Sequence, residues 1–122
     1  MRKSERFKVH ELSAMMNLVS AACRAAEENG ASKVKRLTVD VGEMTGILPK
    51  YLFHYFPEAS KGTLCEGAEL VVNEIEILVT CASCGQDYHP DISNDRCCPF
   101  CKGTAGKIKS GRELMVSDIA VS

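Results

Sequence analysis

Two short motifs, Cys81-Ala82-Ser83-Cys84-Gly85 and Cys98-Pro99-Phe100-Cys101, stand thirteen residues apart in a chain of 122 residues. Each is a C-x-x-C. Two intervening residues let both sulfurs of a tight turn face one ion, and two such turns supply the four thiolates of a tetrahedral zinc site with Zn–S distances of about 2.3 Å. Four thiolates fill zinc's coordination sphere and leave no position for water or substrate, so Cys81, Cys84, Cys98 and Cys101 are expected to hold a structural Zn(II). Gly85 and Gly103 suit the positive backbone angles expected just after each knuckle.

Three further residues bear on this site. Cys97 competes with Cys98, although the shorter spacing to Cys101 matches the first knuckle. His89 is a substitute ligand that four well-spaced cysteines make unnecessary, and it reads as a solvent-facing or supporting histidine. The segment has few sizeable apolar groups, namely Tyr88, Pro90, Ile92, Pro99 and Phe100. Metal binding should therefore appear as folding energy of the segment.

Seven cysteines is an odd count, which argues against complete internal pairing, and in a reducing compartment such enrichment suggests metal-bound thiolates more than disulfides. Cys23 and Cys65 read as buried or spare thiols. The formal charge of −1 gives no broad attraction to phosphate. No apolar run approaches the roughly 20 residues needed to cross a bilayer, and the charged opening is followed by no secretory apolar stretch. A cytoplasmic protein without membrane or nucleic-acid partners is expected. With 45% hydrophobic residues the chain can bury a core.

The elements that must carry the cysteines follow from periodicity. From Glu11 to Asn29, Leu12, Met15, Met16, Val19, Ala22, Cys23 and Ala26 recur at spacings of three and four, which predicts an amphipathic helix closed by Gly30. Its methionines read as core. Leu37, Val39 and Val41 alternate with Thr38 and Asp40 as a half-buried strand. The segment 42–48 reads as a loop, after which Pro49 opens a second helix through Tyr51, Leu52, Tyr55 and Phe56. Pro57 should kink or end it near Phe56. Ala68 to Leu78 reads as a strand in a dry surround and Leu114 to Val121 as a final strand, so residues 81–106 look like an insertion between two strands that pair with each other.

In chain order, Val9-His10-Glu11-Leu12-Ser13, Val41-Gly42-Glu43-Met44-Thr45-Gly46, Lys61-Gly62-Thr63-Leu64-Cys65-Glu66-Gly67-Ala68-Glu69-Leu70, the paired C-x-x-C motifs and Ser110-Gly111-Arg112-Glu113-Leu114 resemble the HypA/HybF hydrogenase nickel-incorporation family. The resemblance runs from about Val9 to the end. It implies an α+β protein: a small nickel-binding domain of two helices and a three-stranded sheet, residues 9–78 and 107–122, with a four-cysteine zinc ribbon inserted at residues 79–106. Residues 1–8 form an N-terminal extension.

The resemblance further implies that transported Ni(II) is held at the start of the first helix by His10 and Glu11. It is then passed to a nickel-iron hydrogenase large-subunit precursor with the help of a nickel-binding maturation GTPase, with homodimer formation left open. Neutral imidazole is a good Ni(II) ligand, and nickel favours nitrogen and oxygen donors. Family members typically begin Met-His-Glu, whereas Met1 to Lys8 precede Val9 here, which displaces the terminal amine from His10. No catalytic set is present in the sequence, so a non-enzymatic metallochaperone is expected. The competing readings are a nucleic-acid-binding zinc ribbon, with Arg96, Lys102, Lys107 and Lys109 as its basic face, and a structural adaptor.

Overall fold

The computed structural model describes residues 3–90 and 97–122, with side chains from residue 11 onward. Helix α1 spans Lys3–Glu28 and strand β1 spans Val34–Gly42. A single 3-10 turn, Glu43–Thr45, precedes helix α2 at Pro49–Ser60. Strands β2 (Glu69–Ile75), β3 (Leu78–Cys81), β4 (Asp87–Tyr88), β5 (Gly106–Ser110) and β6 (Leu114–Val121) complete the described elements.

Helix α1 begins earlier than its apolar periodicity, because Lys3 to His10 continue the same helix ahead of the stripe. It ends as expected: Gly30 adopts φ 70°, and the Ala31 N–H reaches back to the Ala26 carbonyl at 2.9 Å. Met15 is fully buried, but Met16 is 52% exposed, so the reading of both as core holds only for Met15. Residues one step apart on a helix point about 100° apart, and the buried face runs through Glu11, Met15, Leu18, Ala22 and Ala26.

Strand β1 is the centre of a three-stranded sheet ordered β2-β1-β6. It pairs in parallel with β2, from Arg36 opposite Glu69 to Gly42 opposite Ile75, and α2 supplies the crossover that a parallel pair requires. It pairs antiparallel with β6, from Val34 opposite Val121 to Val41 opposite Leu114, with two irregularities in register. Leu37, Val39 and Val41 alternate inward and meet Met15, Leu18, Val19, Ala22, Leu52, Phe56 and Leu70 in one core. Both helices therefore cover one face of this sheet.

The strands flanking the insertion do not pair with each other, because β1 lies between β2 and β6. The run from Ala68 to Leu78 is not one dry strand: it divides into β2, an edge strand in which Leu70 is the buried residue, and the start of β3 in a second sheet. The pair that closes the insertion is β3 with β5, which with β4 gives a sheet ordered β4-β3-β5. Helix α2 also runs past Pro57 to Ser60. Proline there removes the N–H due to the Phe53 carbonyl, but Phe53 lies on the exposed side of the helix, where solvent supplies the missing donor.

The two sheets meet at a narrow neck. A Cβ at Gly42 would stand 2.1 Å from the Gly111 carbonyl oxygen, and one at Gly111, whose φ is 110°, would stand 2.8 Å from Ile77 Cα. Across this contact the Gly42 N–H donates to the Glu113 carbonyl at 2.6 Å and the Met44 N–H to the Gly111 carbonyl at 2.8 Å. The Ile77 N–H donates to Glu43 Oε1 at 2.9 Å, and Ser110 Oγ donates to the Glu76 carbonyl at 2.8 Å. Segments 41–46 and 110–114, singled out separately in the sequence, thus build one junction.

Candidate metal centre

Each cysteine pair sits on a turn of the same construction. In the first, the Gly85 N–H donates to the Cys81 carbonyl at 3.0 Å and the Cys81 N–H to the Gln86 carbonyl at 2.9 Å. In the second, the Lys102 N–H donates to the Cys98 carbonyl at 2.8 Å and the Cys98 N–H to the Gly103 carbonyl at 2.9 Å. The residue after each second cysteine is left-handed, with φ 75° at Gly85 and φ 62° at Lys102. The positive angle expected at Gly103 therefore falls one position earlier, on Lys102. Gly103 has a different role: a Cβ there would come within 3.3 Å of Cys101 Sγ and 3.4 Å of Cys81 Sγ, so its small size lets the backbone pass close to the sulfurs.

The turns bring the Sγ atoms of Cys81, Cys84, Cys98 and Cys101 within 4.8 Å of one another. Cys81 and Cys101 are 3.5 Å apart, and Cys84 and Cys98 are 3.6 Å apart. A tetrahedron with metal–sulfur bonds of about 2.3 Å has edges of about 3.8 Å, so the donor set fits a single tetrahedral ion. Cys98, fully buried, belongs to the group, whereas half-buried Cys97 does not. The unit's own core is Cys81, Tyr88 and Cys98 with Val79 packed against them, while Phe100 is 67% exposed. Ile92 and Arg96 lie outside the described residues.

Cys81, Cys84 and Cys101 are shifted in different directions by their surroundings. N–H groups of Cys84 and Ser83 pull Cys81 down to about 6. The Gly103 N–H pulls Cys101 down, but the Cys81 sulfur and burial outweigh it and push Cys101 up to about 12. Cys84 is drawn down by the Gln86 N–H and raised on balance by burial and by Cys98. Burial and the nearby sulfurs raise Tyr88. Four thiolates this close repel, and a bound cation is the means by which all can ionise together.

His89 is not a member of the sulfur group. Its Nε2 lies 2.9 Å from Glu43 Oε1, so it spans from the cysteine-bearing sheet to the neck. Lys109, one of the four basic residues considered for a nucleic-acid face, is paired with Asp87 at 2.5 Å. His10 falls in the third turn of α1 instead of at its start, and its side chain lies outside the described residues. Glu11 follows it and is 5% exposed, on the buried face four residues before Met15. Among the described residues no helix is long and apolar enough to cross a membrane.

Two helices over a three-stranded sheet, joined through a neck to a second small sheet that presents four convergent sulfurs, define a small α+β metal-binding protein. A family model described as hydrogenase/urease nickel incorporation, metallochaperone, HypA matches residues 9–121, and the chain belongs to that family of nickel metallochaperones of hydrogenase maturation. It is 37% identical over 113 residues to the hydrogenase maturation factor HypA of Chlorobaculum tepidum, covering 93% of this chain and 99% of that protein. Identity to the corresponding factor of Chlorobium limicola is 33% over 113 residues, covering 93% and 97%. The fold is similar to the solution structure of the Ni metallochaperone HypA from Helicobacter pylori, with a TM-score of 0.67 at 21% identity over 91% of this chain and 96% of that one.

Proposed function

We propose that this chain binds Ni(II) reversibly through His10 and Glu11 and delivers it to the nickel-iron hydrogenase large-subunit precursor, acting with a nickel-binding maturation GTPase. Zn(II) at Cys81, Cys84, Cys98 and Cys101 keeps the ribbon, residues 79–106, folded beside the nickel-binding domain formed by residues 9–78 and 107–122. The protein does no bond-breaking chemistry itself.

The observation that carries the division of labour is the four-sulfur group. A tetrahedral all-sulfur set suits zinc, and filling it leaves no open position for a passing cargo. Nickel favours nitrogen and oxygen donors, which the start of the family match at Val9-His10-Glu11 offers. The His10 imidazole is the principal ligand. A buried carboxylate next to it, Glu11, contributes an oxygen or fixes the imidazole's tautomer. The His10 N–H belongs to the intrahelical ladder of α1, which favours side-chain over amide coordination.

Calorimetric nickel titration of the zinc-loaded protein, beside His10→Ala and Glu11→Gln variants, tests this. His10→Ala should lose saturable nickel binding and keep its zinc, about one per chain. Unchanged nickel binding in His10→Ala, or release of zinc in step with nickel uptake, would overturn the assignment.

A further inference from the structure

Two cysteines outside the sulfur group stand together. Cys23 on α1 and Cys65 on the turn between α2 and β2 are 42 positions apart in sequence, yet their Sγ atoms are 3.6 Å apart. The turn holds Cys65 in place: the Thr63 side chain accepts the Cys65 N–H at 3.1 Å, Thr63 Oγ1 donates to the Ser60 carbonyl at 2.6 Å, and the Val34 N–H donates to the Leu64 carbonyl at 2.9 Å. Gly62 and Gly67, at φ 76° and 80°, bound this turn.

The two thiols are not equivalent. Cys65 is completely buried, and burial together with the adjoining Cys23 thiol pushes it up to about 12. Cys23 is half-buried and lines a surface groove with Met16, Arg24, Glu58 and Lys61. A small oxidant therefore reaches Cys23 first, and Cys65 is the neighbour against which the oxidised sulfur is pressed.

We infer that Cys23 and Cys65 form a hydroperoxide-sensitive dithiol, with Cys23 as the attacking sulfur and Cys65 as the resolving one. The Cys23 thiolate attacks a peroxide oxygen, the O–O bond breaks, and Cys23 becomes a sulfenic acid as hydroxide leaves. The Cys65 sulfur then bonds to Cys23 Sγ, the S–O bond breaks, and the departing hydroxyl takes the Cys65 proton and leaves as water. Two thiols have lost two electrons to one peroxide. A reducing dithiol restores both. The bond fastens the middle of α1 to the turn that follows α2, clamping the helix pair over the sheet. Neither the nickel nor the zinc assignment is needed for it.

The test is peptide mapping of the full, metal-loaded chain after one equivalent of hydrogen peroxide, with free thiols alkylated before digestion. The expected product is an intramolecular Cys23–Cys65 peptide pair, reversed by dithiothreitol. In Cys65→Ser the disulfide should be replaced by a Cys23 sulfenic acid that dimedone traps. In Cys23→Ser, oxidation at Cys65 should slow by at least about tenfold, because the remaining thiol is buried and protonated. Pairing of either residue with a different cysteine, or survival of both as thiols while Cys97 or the metal-site cysteines are consumed, would overturn the inference. Should Cys65→Ser fail to fold, the wild-type map and Cys23→Ser still decide it.

Discussion

Glu43 Oε1 lies 2.9 Å from His89 Nε2 and accepts the Ile77 N–H at the same distance, so one carboxylate oxygen joins the cysteine-bearing sheet to the turn that follows β1. The chain crosses between the two sheets beside it, at Glu76-Ile77 and again at Gly111.

The Ile77 N–H, and after it His89, hold the Glu43 carboxyl below its ordinary value of 4.5. A lowered folded-state pKa means that the unfolded chain takes up the proton first. The contribution of Glu43 to stability is therefore fully present above about pH 4.5 and is lost as pH falls through the lower folded value. Thermal midpoints measured from pH 6 downward should fall more steeply for wild type than for Glu43→Gln, which should already be lower at pH 6. Parallel curves for the two proteins would remove Glu43 from the neck's energetics.

Gly42→Ala places a methyl group against the Gly111 carbonyl, at a distance no Cβ can adopt, and backbone has to move to admit it. Overpacking of this kind typically costs about 1–3 kcal/mol. The neck should loosen and hydrogen exchange at Met44 and Ile77 should accelerate, while zinc content stays unchanged. Loss of zinc in Gly42→Ala would show that the metal turns depend on the neck.

Serine at Cys81, Cys84, Cys98 or Cys101 should release zinc and unfold the ribbon, because three sulfurs cannot complete the tetrahedron. Serine at Cys97 should retain the metal. Metal analysis with near-ultraviolet circular dichroism reads both outcomes, and zinc lost from Cys97→Ser but kept in Cys98→Ser would exchange the two ligands.

Lys102 carries a left-handed backbone, at φ 62°, where its counterpart in the first turn is Gly85. The conformation costs a non-glycine residue roughly 1–2 kcal/mol, offset in part by the unfolded-state entropy that glycine adds, about 0.4–1 kcal/mol. Lys102→Gly should therefore strengthen the ribbon slightly, by about 0.5–1 kcal/mol, seen as slower loss of zinc to a chelator. Gly85→Ala should act in the opposite direction.

A chain that starts Met-His-Glu in place of Met1 to Glu11 frees a terminal amine beside the histidine and removes the helical turns ahead of it. It should bind Ni(II) more tightly than the full chain and show the absorption of planar coordination. Equal affinity would mean that the side chains alone hold the metal.

The metal site was the most legible part of the sequence, because C-x-x-C fixes a local turn and four sulfurs need little else to be recognised. The central strand and the body of the first helix were legible for the same reason: Leu37, Val39 and Val41 alternate, and the stripe from Met15 to Ala26 repeats at helical spacing. What failed was partnership across the chain. Ala68 to Leu78 looks like one apolar run, and nothing local says that Glu76-Ile77 crosses from one sheet to another. The role of Gly42 and Gly111 is equally silent in sequence, since Gly42 is small to admit the Gly111 carbonyl and Gly111 is small to pass Ile77. Pairing of Cys23 with Cys65 depends on how α1 lies on the turn after α2, which periodicity does not report.

The neck also has a meaning for how such a chain is assembled from parts. The strand that enters the ribbon and the strand that leaves it are neighbours, β3 against β5, and Glu76 and Ser110 lie side by side where the chain departs and returns. Every register partner of β1 in β2 and β6 lies outside the segment between these points. The junction works as a socket: the chain leaves the helix-bearing sheet and re-enters it at adjoining points.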